Sequence, residues 1–412
     1  MKFLSVGSRL ARKTLYKTEA LAETFRKGGA HGINSGRTSG SPKLDLPTLN
    51  LLALRTLVHL FDDKERLFCE RATVGEQGYS RNGISHRQTI VALLGLGRLA
   101  ACEQIDHLDV ALIRDAVLRD RNWVASAEDL GLLTWLSAAY SPCELTAILT
   151  EFDFDRILET YADGREARTA GLAWFLAGVA QAALARPELI SSLTDVAVDA
   201  YRRLQDNQGS SGIFGNAGSA RFARKAICKR FGTFRDQISA IYALSTFARA
   251  FQIEEPLESA LSCANSICAL QGELGEWWSL YDKRTGRVVN HYPVVSSHQD
   301  GLAPCALMAL GEATGRSFEA AILKGLSWIS GANEIGVDLR NTNQPLIWDS
   351  IDFEKRITRY WDAAQGFMNF SKPRQMQSLR IRYEVRPDHL GWLLCAFGGV
   401  GLPNERSLAA RA

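Results

Sequence analysis

The densest set of side chains able to do chemistry lies within residues 276–300, which hold two of the chain's seven histidines and two of its nine tryptophans. Trp278 offers an apolar face on which a sugar ring can stack, and Gln299 and Arg287 offer fixed hydrogen bonds and positive charge to hydroxyls and an anionic group. His298 and Tyr292 are the candidates to exchange protons with a substrate. Asp282 and Asp300 are the carboxylates a glycosidic hydrolysis would use, provided they face one bond across about 5–9.5 Å. A plainer reading stands beside each: Asp300, like Asp236, occupies the position of a helix cap, and Trp277 can be packing alone. His291 and His298 are separated by Pro293 and do not form a helical metal pair, so no metal or cofactor is expected.

A second set lies at 380–392. Arg380, Arg382 and Glu384 alternate with Ile381, Tyr383 and Val385, a period of two that predicts an extended segment. Pro387 then suits the first turn of a closing helix. Arg386 and His389 would flank the positive end of that helix, a favourable place for a carboxylate or phosphate. The plainer alternative is a surface ladder of Arg and Glu with Asp388 as a cap. Together the two sets favour an anionic, hydroxylated ligand such as a uronate-containing or phosphorylated glycan.

These residues must be positioned by helices. From residue 47 the apolar residues recur at helical spacing, predicting segments at 47–62, 85–101, 108–119, 127–140, 143–161, 166–185, 188–206, 236–252, 256–270, 302–314, 317–330 and 387–398. No run of strands is apparent. Segments that are apolar all round, such as GLAWFLAGVAQAALA, alternate with amphipathic ones such as LTDVAVDAYRRL. The first kind must be surrounded and the second must face water, so an inner ring within an outer ring is expected: an all-α, α/α-toroid domain over 47–412. The helix starts repeat: Phe234-Arg235-Asp236-Gln237 aligns with Ser297-His298-Gln299-Asp300 and, loosely, with Ser85-His86-Arg87-Gln88.

Gln271-x3-Gly275-x-Trp277 resembles the Gln…Gly-x-Trp repeat of squalene-cyclase and prenyltransferase-like toroids. Gln205…Gly212-x-Phe214 reads as a degenerate copy, and Gly325-x2-Trp328 with Asn333-Glu334 as a distant one. In such repeats the Gln caps a helix end and the aromatic packs between helices, so the resemblance implies fold rather than activity. The Trp-rich segment 276–286 is similar to segments in the helical domains of glucuronyl epimerases and other carbohydrate-active toroids. The expected function is therefore glycan processing by proton abstraction or hydrolysis. The alternatives are a terpenoid cyclase or prenyltransferase-like enzyme, with Asp62-Asp63-Lys64-Glu65 or Asp153-Phe154-Asp155 as its acidic motif, and a non-catalytic glycan-binding scaffold.

Composition sets the outer limits. The 412 residues are 46% hydrophobic and 23% charged with a formal net charge of +3, the balance of a globular protein. Residues 1–43 carry nine Lys or Arg against Glu19 and Glu23, about +7, and end in the Gly- and Ser-rich stretch 28–43. Residues 1–46 are thus expected to be a basic flexible arm, with contact to an anionic membrane surface as its candidate partner. Nucleic acid is not an expected partner, because basic residues elsewhere lack the required aromatic interleaving. Eight scattered cysteines without a CxxC pair read as reduced thiols. With neither a secretory core nor an apolar span, a cytoplasmic protein is the default expectation.

Overall fold

The computed structural model describes residues 45–75, 78–99, 104–105, 108–163, 168–216, 229–354 and 378–400. Residues 1–44, which include nearly all of the basic arm, lie outside these, as do Cys102 and Cys228.

Thirteen α-helices are described: α1 Leu46–Leu60, α2 His86–Leu96, α3 Val110–Arg119, α4 Ala127–Tyr140, α5 Leu145–Glu151, α6 Phe154–Asp163, α7 Thr169–Ala185, α8 Ile190–Gln205, α9 Phe234–Phe251, α10 Glu255–Ala269, α11 Ala303–Thr314, α12 Glu319–Ile329 and α13 Pro387–Phe397. A π-helical turn, His298–Leu302, opens α11. The segment 143–161, expected as one helix, is divided at Phe152–Asp153, where the Asp153 carboxylate accepts from the Arg156 N–H and starts α6.

The apolar helices α2, α4, α7, α9, α11 and α13 form a closed inner ring in that order, α13 packing back on α2. The amphipathic helices α1, α3, α5 with α6, α8, α10 and α12 surround it. Ring closure ties the two ends of the domain together: Asn50 of α1 donates to the Phe397 carbonyl of α13 at 2.8 Å. Inner helices touch backbone to backbone where glycines permit it. A Cβ on Gly178 of α7 would lie 2.1 Å from the Gly131 carbonyl oxygen of α4, an impossible approach for any other residue.

The chain passes from inner to outer helices mostly through short links; the longest connections, α1–α2, α8–α9, α10–α11 and α12–α13, run from outer to inner helices and fall at the inner-helix N-termini. Those connections carry strands, of which the sequence pattern anticipates only the extended segment over 380–385, where strands run over 379–382 and 384–385. Between α1 and α2 run β1 Phe61–Asp62, β2 Leu67–Gly75 and β3 Gly78–Ile84, joined by β14 Glu384–Val385 into a four-stranded antiparallel sheet. β6 Phe231–Thr233, β7 Leu280–Asp282 and β8 Arg287–Asn290 form a second sheet. β9 Val294–Val295, β12 Ser350–Phe353 and β13 Leu379–Arg382 form a third. β4 Gln104–Ile105 with β5 Leu108–Asp109, and β10 Arg340–Asn341 with β11 Leu346–Ile347, are two-residue ladders. Most strands have two to four residues and too little alternation to register as strands. Apart from β4 and β5, which lie between α2 and α3, they decorate one face of a helical core.

The repeated Gln motif is a clasp between neighbouring outer helices. Gln271 donates to Gly275 O at 3.1 Å and to Ala321 O of α12 at 3.0 Å. Gln208, not Gln205, makes the equivalent pair, to Gly212 O at 2.9 Å and Ser259 O of α10 at 2.8 Å. Both clasps turn on a glycine with positive φ, 81° at Gly212 and 103° at Gly275. In the third copy Asn333 takes the Gln role, donating to Val337 O at 2.7 Å and to Trp328 O at 2.8 Å. Gly325 is not its start: it packs beneath Trp277 of the preceding clasp.

Candidate active site at the ring mouth

On α9, Arg235, Tyr242 and Arg249 follow one another at seven-residue intervals and are at least partly exposed, while the residues between them are almost all buried. This stripe faces the ring axis, because the Tyr242 ring meets Trp135 of α4 at 5.1 Å and Trp174 of α7 at 5.9 Å. Trp392 of α13 stacks on Trp174 at 4.9 Å and completes an aromatic plug across the axis. Two turns closer to the mouth than Tyr242, Arg235 donates to Glu128 of α4 at 2.5 Å. The other Glu128 oxygen faces Arg87 of α2 at 3.6 Å, and Arg87 is also paired with Asp129.

Glu128 dominates the upward shift of the Arg235 guanidinium, opposed by burial and reinforced by Asp388 of α13 and by Asp236. Neither α4 nor α13 adjoins α9 in the ring. An arginine that bonds one and feels the other lies across the axis, and 47% exposure of its side chain shows the axis to be open there.

At the start of α13, Arg386 pairs with Asp388 at 3.3 Å, their side chains 32% and 29% exposed. Burial opposes ionisation of Asp388, but Arg386 and Arg235 hold its carboxyl below the usual range. Asp349, just ahead of β12, moves the other way: burial raises it, only partly offset by Arg386, the Ser350 hydroxyl and His389. Its backbone is clamped on both sides, by Asp349 N–H to Glu384 O at 2.9 Å and Ser296 N–H to Asp349 O at 2.7 Å.

Beneath these lies a fully enclosed pair. His389 Nε2 sits 2.9 and 2.8 Å from the two carboxylate oxygens of Asp300. Burial disfavours the imidazolium, but Asp300, Asp349 and Asp388 outweigh it and raise His389. Burial likewise raises Asp300 against the pull of His389. The pair ties the π-helical turn to α13, and Asp300 is not a cap.

The remaining residues singled out in sequence separate into three places. His298, half-buried at the first position of the π-helical turn, faces the Phe234 ring at the start of α9 at 5.4 Å. Gln299 clasps the preceding connection, its amide facing Gly275 O at 2.9 Å and Trp277 N at 3.1 Å, just as Gln237 holds both backbone groups of Phe214 at 2.7 and 2.8 Å. It is fully buried, so a direct substrate contact does not fit its place. Asp282 is consumed by its own hairpin: Arg230 at 2.9 and 2.5 Å, the Arg284 N–H and the Thr285 hydroxyl. Asp300 is likewise engaged, by His389, so both carboxylates already have protein partners. Arg287 is exposed on β8.

Tyr292 donates to Glu334 at 2.8 Å, Trp328 donates to the other oxygen of the same carboxylate, and Trp278 stands edge-on to His291 and Tyr292. This group forms a rim above α12. The acidic motifs weighed for terpenoid chemistry have local duties: Asp62 accepts from Lys64 and Glu65 N–H in a turn, and Asp153 starts α6.

The sequence reading missed Arg235, Glu128, Arg87 and Asp349 as site residues. The first three occupy the starts of inner helices, where the aligned repeats already placed charge, and that was the available signal. Asp349 lies in an irregular segment without a pattern.

Sequence comparison finds no matching family model and no matching curated protein. Comparison of folds does. A sugar epimerase from a ruminal bacterium matches with TM-score 0.57 at 9% identity, over 87% of this chain and 100% of that one. An unsaturated glucuronyl hydrolase from Streptococcus agalactiae matches with TM-score 0.55 at 12% identity, over 89% and 93%. An unsaturated glucuronyl hydrolase specific for heparin matches with TM-score 0.53 at 13% identity, over 86% and 96%. The chain is an α/α toroid with the fold of these carbohydrate-active enzymes. Among the described residues of this toroid no three His, Cys, Asp or Glu side chains are grouped to hold a metal, and no helix is long and apolar enough to cross a membrane.

Proposed function

We propose that this toroid processes an anionic saccharide, uronate-containing or phosphorylated, by acid–base chemistry at the mouth of its inner ring. The observation that carries this reading is the meeting of Glu128, Arg235 and Asp388 on the axis from helices that do not adjoin α9. Six inner-helix N-termini point to the same face, and their partial positive charge adds to the attraction for an anion. Hydrolases and epimerases of sugars share the fold, which supports saccharide chemistry.

In this reading Arg386, partly exposed at the mouth, neutralises the anionic group. Asp349 and Asp388 flank it with their proton affinities pushed in opposite directions, which suits an acid and a base. That split favours hydrolysis, with Asp349 giving a proton to the departing oxygen and Asp388 taking one from water. The second reading is abstraction of a uronate C5 proton by His298, leading to elimination or epimerisation, and it is favoured by the half-buried position of His298 against Phe234 at the start of α9. The His389–Asp300 pair positions both sets from below. Trp278, Tyr292 and Arg287 touch only a ligand long enough to reach the rim.

The test is proton NMR in D2O with a 4,5-unsaturated uronyl disaccharide, a saturated glucuronyl disaccharide and cellobiose. New reducing ends without a new C4 vinylic proton support hydrolysis; on the saturated substrate, deuterium at C5 (epimerisation) or a new C4 vinylic proton (elimination) supports abstraction. Turnover of cellobiose alone, or of none of the three, defeats the proposal. The basic arm as a contact for anionic lipid rests on the charge pattern of 1–46; co-sedimentation with phosphatidylserine vesicles, with and without the arm, tests it.

A further inference from the structure

The proposed function leaves open what makes the ring choose an acid over a neutral sugar. All three arginines at the mouth pair with a carboxylate: Arg87 with Asp129 of the adjoining α4, Arg386 with its near neighbour Asp388, and Arg235 with Glu128. Arg235 alone reaches its partner from two helices around the ring. A guanidinium has five N–H donors in a planar fork, and among the described residues the hydrogen bond that Arg235 makes is a single one, from Nη2 to Glu128. Its side chain is 47% exposed although it lies across the axis. The acceptor it uses is shared with Arg87, so Glu128 keeps a cationic partner when Arg235 turns away.

Resting on the reading of the mouth as a saccharide site, we infer that Arg235 is the specificity-determining residue. It leaves Glu128 and forks onto the carboxylate of a uronate entering along the axis, while Arg87 holds Glu128 in place. The ligand class is a hexuronate, because a planar carboxylate matches the planar fork. Below it, the Trp135, Trp174 and Trp392 plug limits how deep the ring can descend. Glu128 acts as an internal stand-in for the ligand carboxylate, keeping Arg235 extended across the mouth when the site is empty.

Titration calorimetry with glucuronate and with glucose, on the full chain, tests this. Wild type is expected to bind glucuronate more tightly than glucose. Arg235→Gln should lose about 10–100-fold in glucuronate affinity, the range for charge-assisted hydrogen bonds, with glucose binding unchanged. Arg235→Lys should recover only part of the loss, since an ammonium cannot fork. Glu128→Gln should tighten glucuronate binding by removing the competing carboxylate. Melting curves confirm that each variant is folded; a variant that fails to fold is replaced in the comparison by Glu128→Gln, which keeps Arg235. Glucuronate preference undiminished in Arg235→Gln overturns the inference alone, a residual preference being what Arg386 supplies. Loss of affinity in Glu128→Gln overturns the stand-in role. Equal binding of both sugars by wild type overturns the inference together with the anionic reading of the site.

Discussion

The connection between α10 and α11 and the starts of the inner helices are built from the same residue types, yet they spend them differently. In the connection, Asp282 is satisfied by Arg230, Arg284 and Thr285, Tyr292 by Glu334, and Gln299 by the backbone beside Trp277. Each partner comes from the same stretch or an adjoining one. At the inner-helix starts, Arg235 reaches Glu128 two helices around the ring, and Asp388 stands in the field of that same arginine from the other side. Polar groups bonded locally fix a loop. Polar groups bonded across an open axis hold charge where a ligand can meet it.

The comparison breaks most sharply on turnover. Asp388→Asn keeps the shape of the α13 start but cannot accept a proton, and it should cut turnover of the uronyl disaccharide by about 10²–10⁴-fold with little change in melting temperature. Asp282→Asn should leave turnover within about twofold. Reversal of the two results would move the chemistry to the connection.

Next in size is a loss of stability. Trp277 is 1% exposed and stacks on Phe234 at 5.0 Å, so it fills space between the clasp and α9. Trp277→Ala should cost about 3–5 kcal/mol in urea denaturation. The same truncation at Trp278, which is half-buried on the rim, should cost clearly less. Equal costs would mean that the rim is core.

These expectations also show where a single chain reveals its fold. The helices were legible because an inner helix such as α7 must be apolar all round and an outer one such as α8 must not. The clasp was legible because it needs a Gln, a glycine at positive φ and an aromatic at fixed spacing, although the true Gln208 lies three positions from the Gln205 first aligned. Most of the strands were not, because apart from β2 and β3 their ladders are two to four residues long and their register is set by the ring. The site was half legible: Arg386, Asp300 and His389 were picked out, but that His389 meets Asp300 depends on closing the ring between residues far apart in sequence. Arg235 was visible only as one member of a repeat.

A smaller contrast concerns pH. His389 is raised above its ordinary value of 6.5, so its contribution to stability is complete below that pH and is lost as pH rises through the folded value. Asp300, also raised, adds a penalty from 3.8 upward, with the same sign. Asp282 is the opposite case. Although burial opposes it, Arg230 and the hairpin donors lower its carboxyl, so its contribution is present above 3.8 and is lost as pH falls through the folded value. Urea midpoints of His389→Gln minus wild type should therefore narrow as pH rises from 6 to 9, and those of Asp282→Asn minus wild type should narrow as pH falls from 5 to 3. Parallel curves in either case would show that the pair concerned contributes no proton-linked stability.

The smallest expected effect is at Arg287, and it tests the comparison because sequence placed this residue and Arg386 in one role. Arg287 stands exposed on β8, opposite Asp282 in a ladder whose carboxylate is already filled by Arg230, so its removal strands no buried charge and uncovers no core. Arg386 is drawn into the field of Asp388 and Asp349 and stands at the N-cap of α13, where an anion also meets a helix N-terminus. Arg287→Ala should change stability by no more than about 0.5 kcal/mol and the KM for a uronyl disaccharide by less than about twofold. Arg386→Ala should raise that KM about tenfold or more, because it removes a charge-assisted contact. A longer uronate oligosaccharide sharpens the contrast. If Arg287→Ala weakens binding of a tetrasaccharide while leaving the disaccharide untouched, the rim serves as a remote subsite. If it weakens the disaccharide as much as Arg386→Ala does, the connection and the axis form one site and the division drawn between them is wrong.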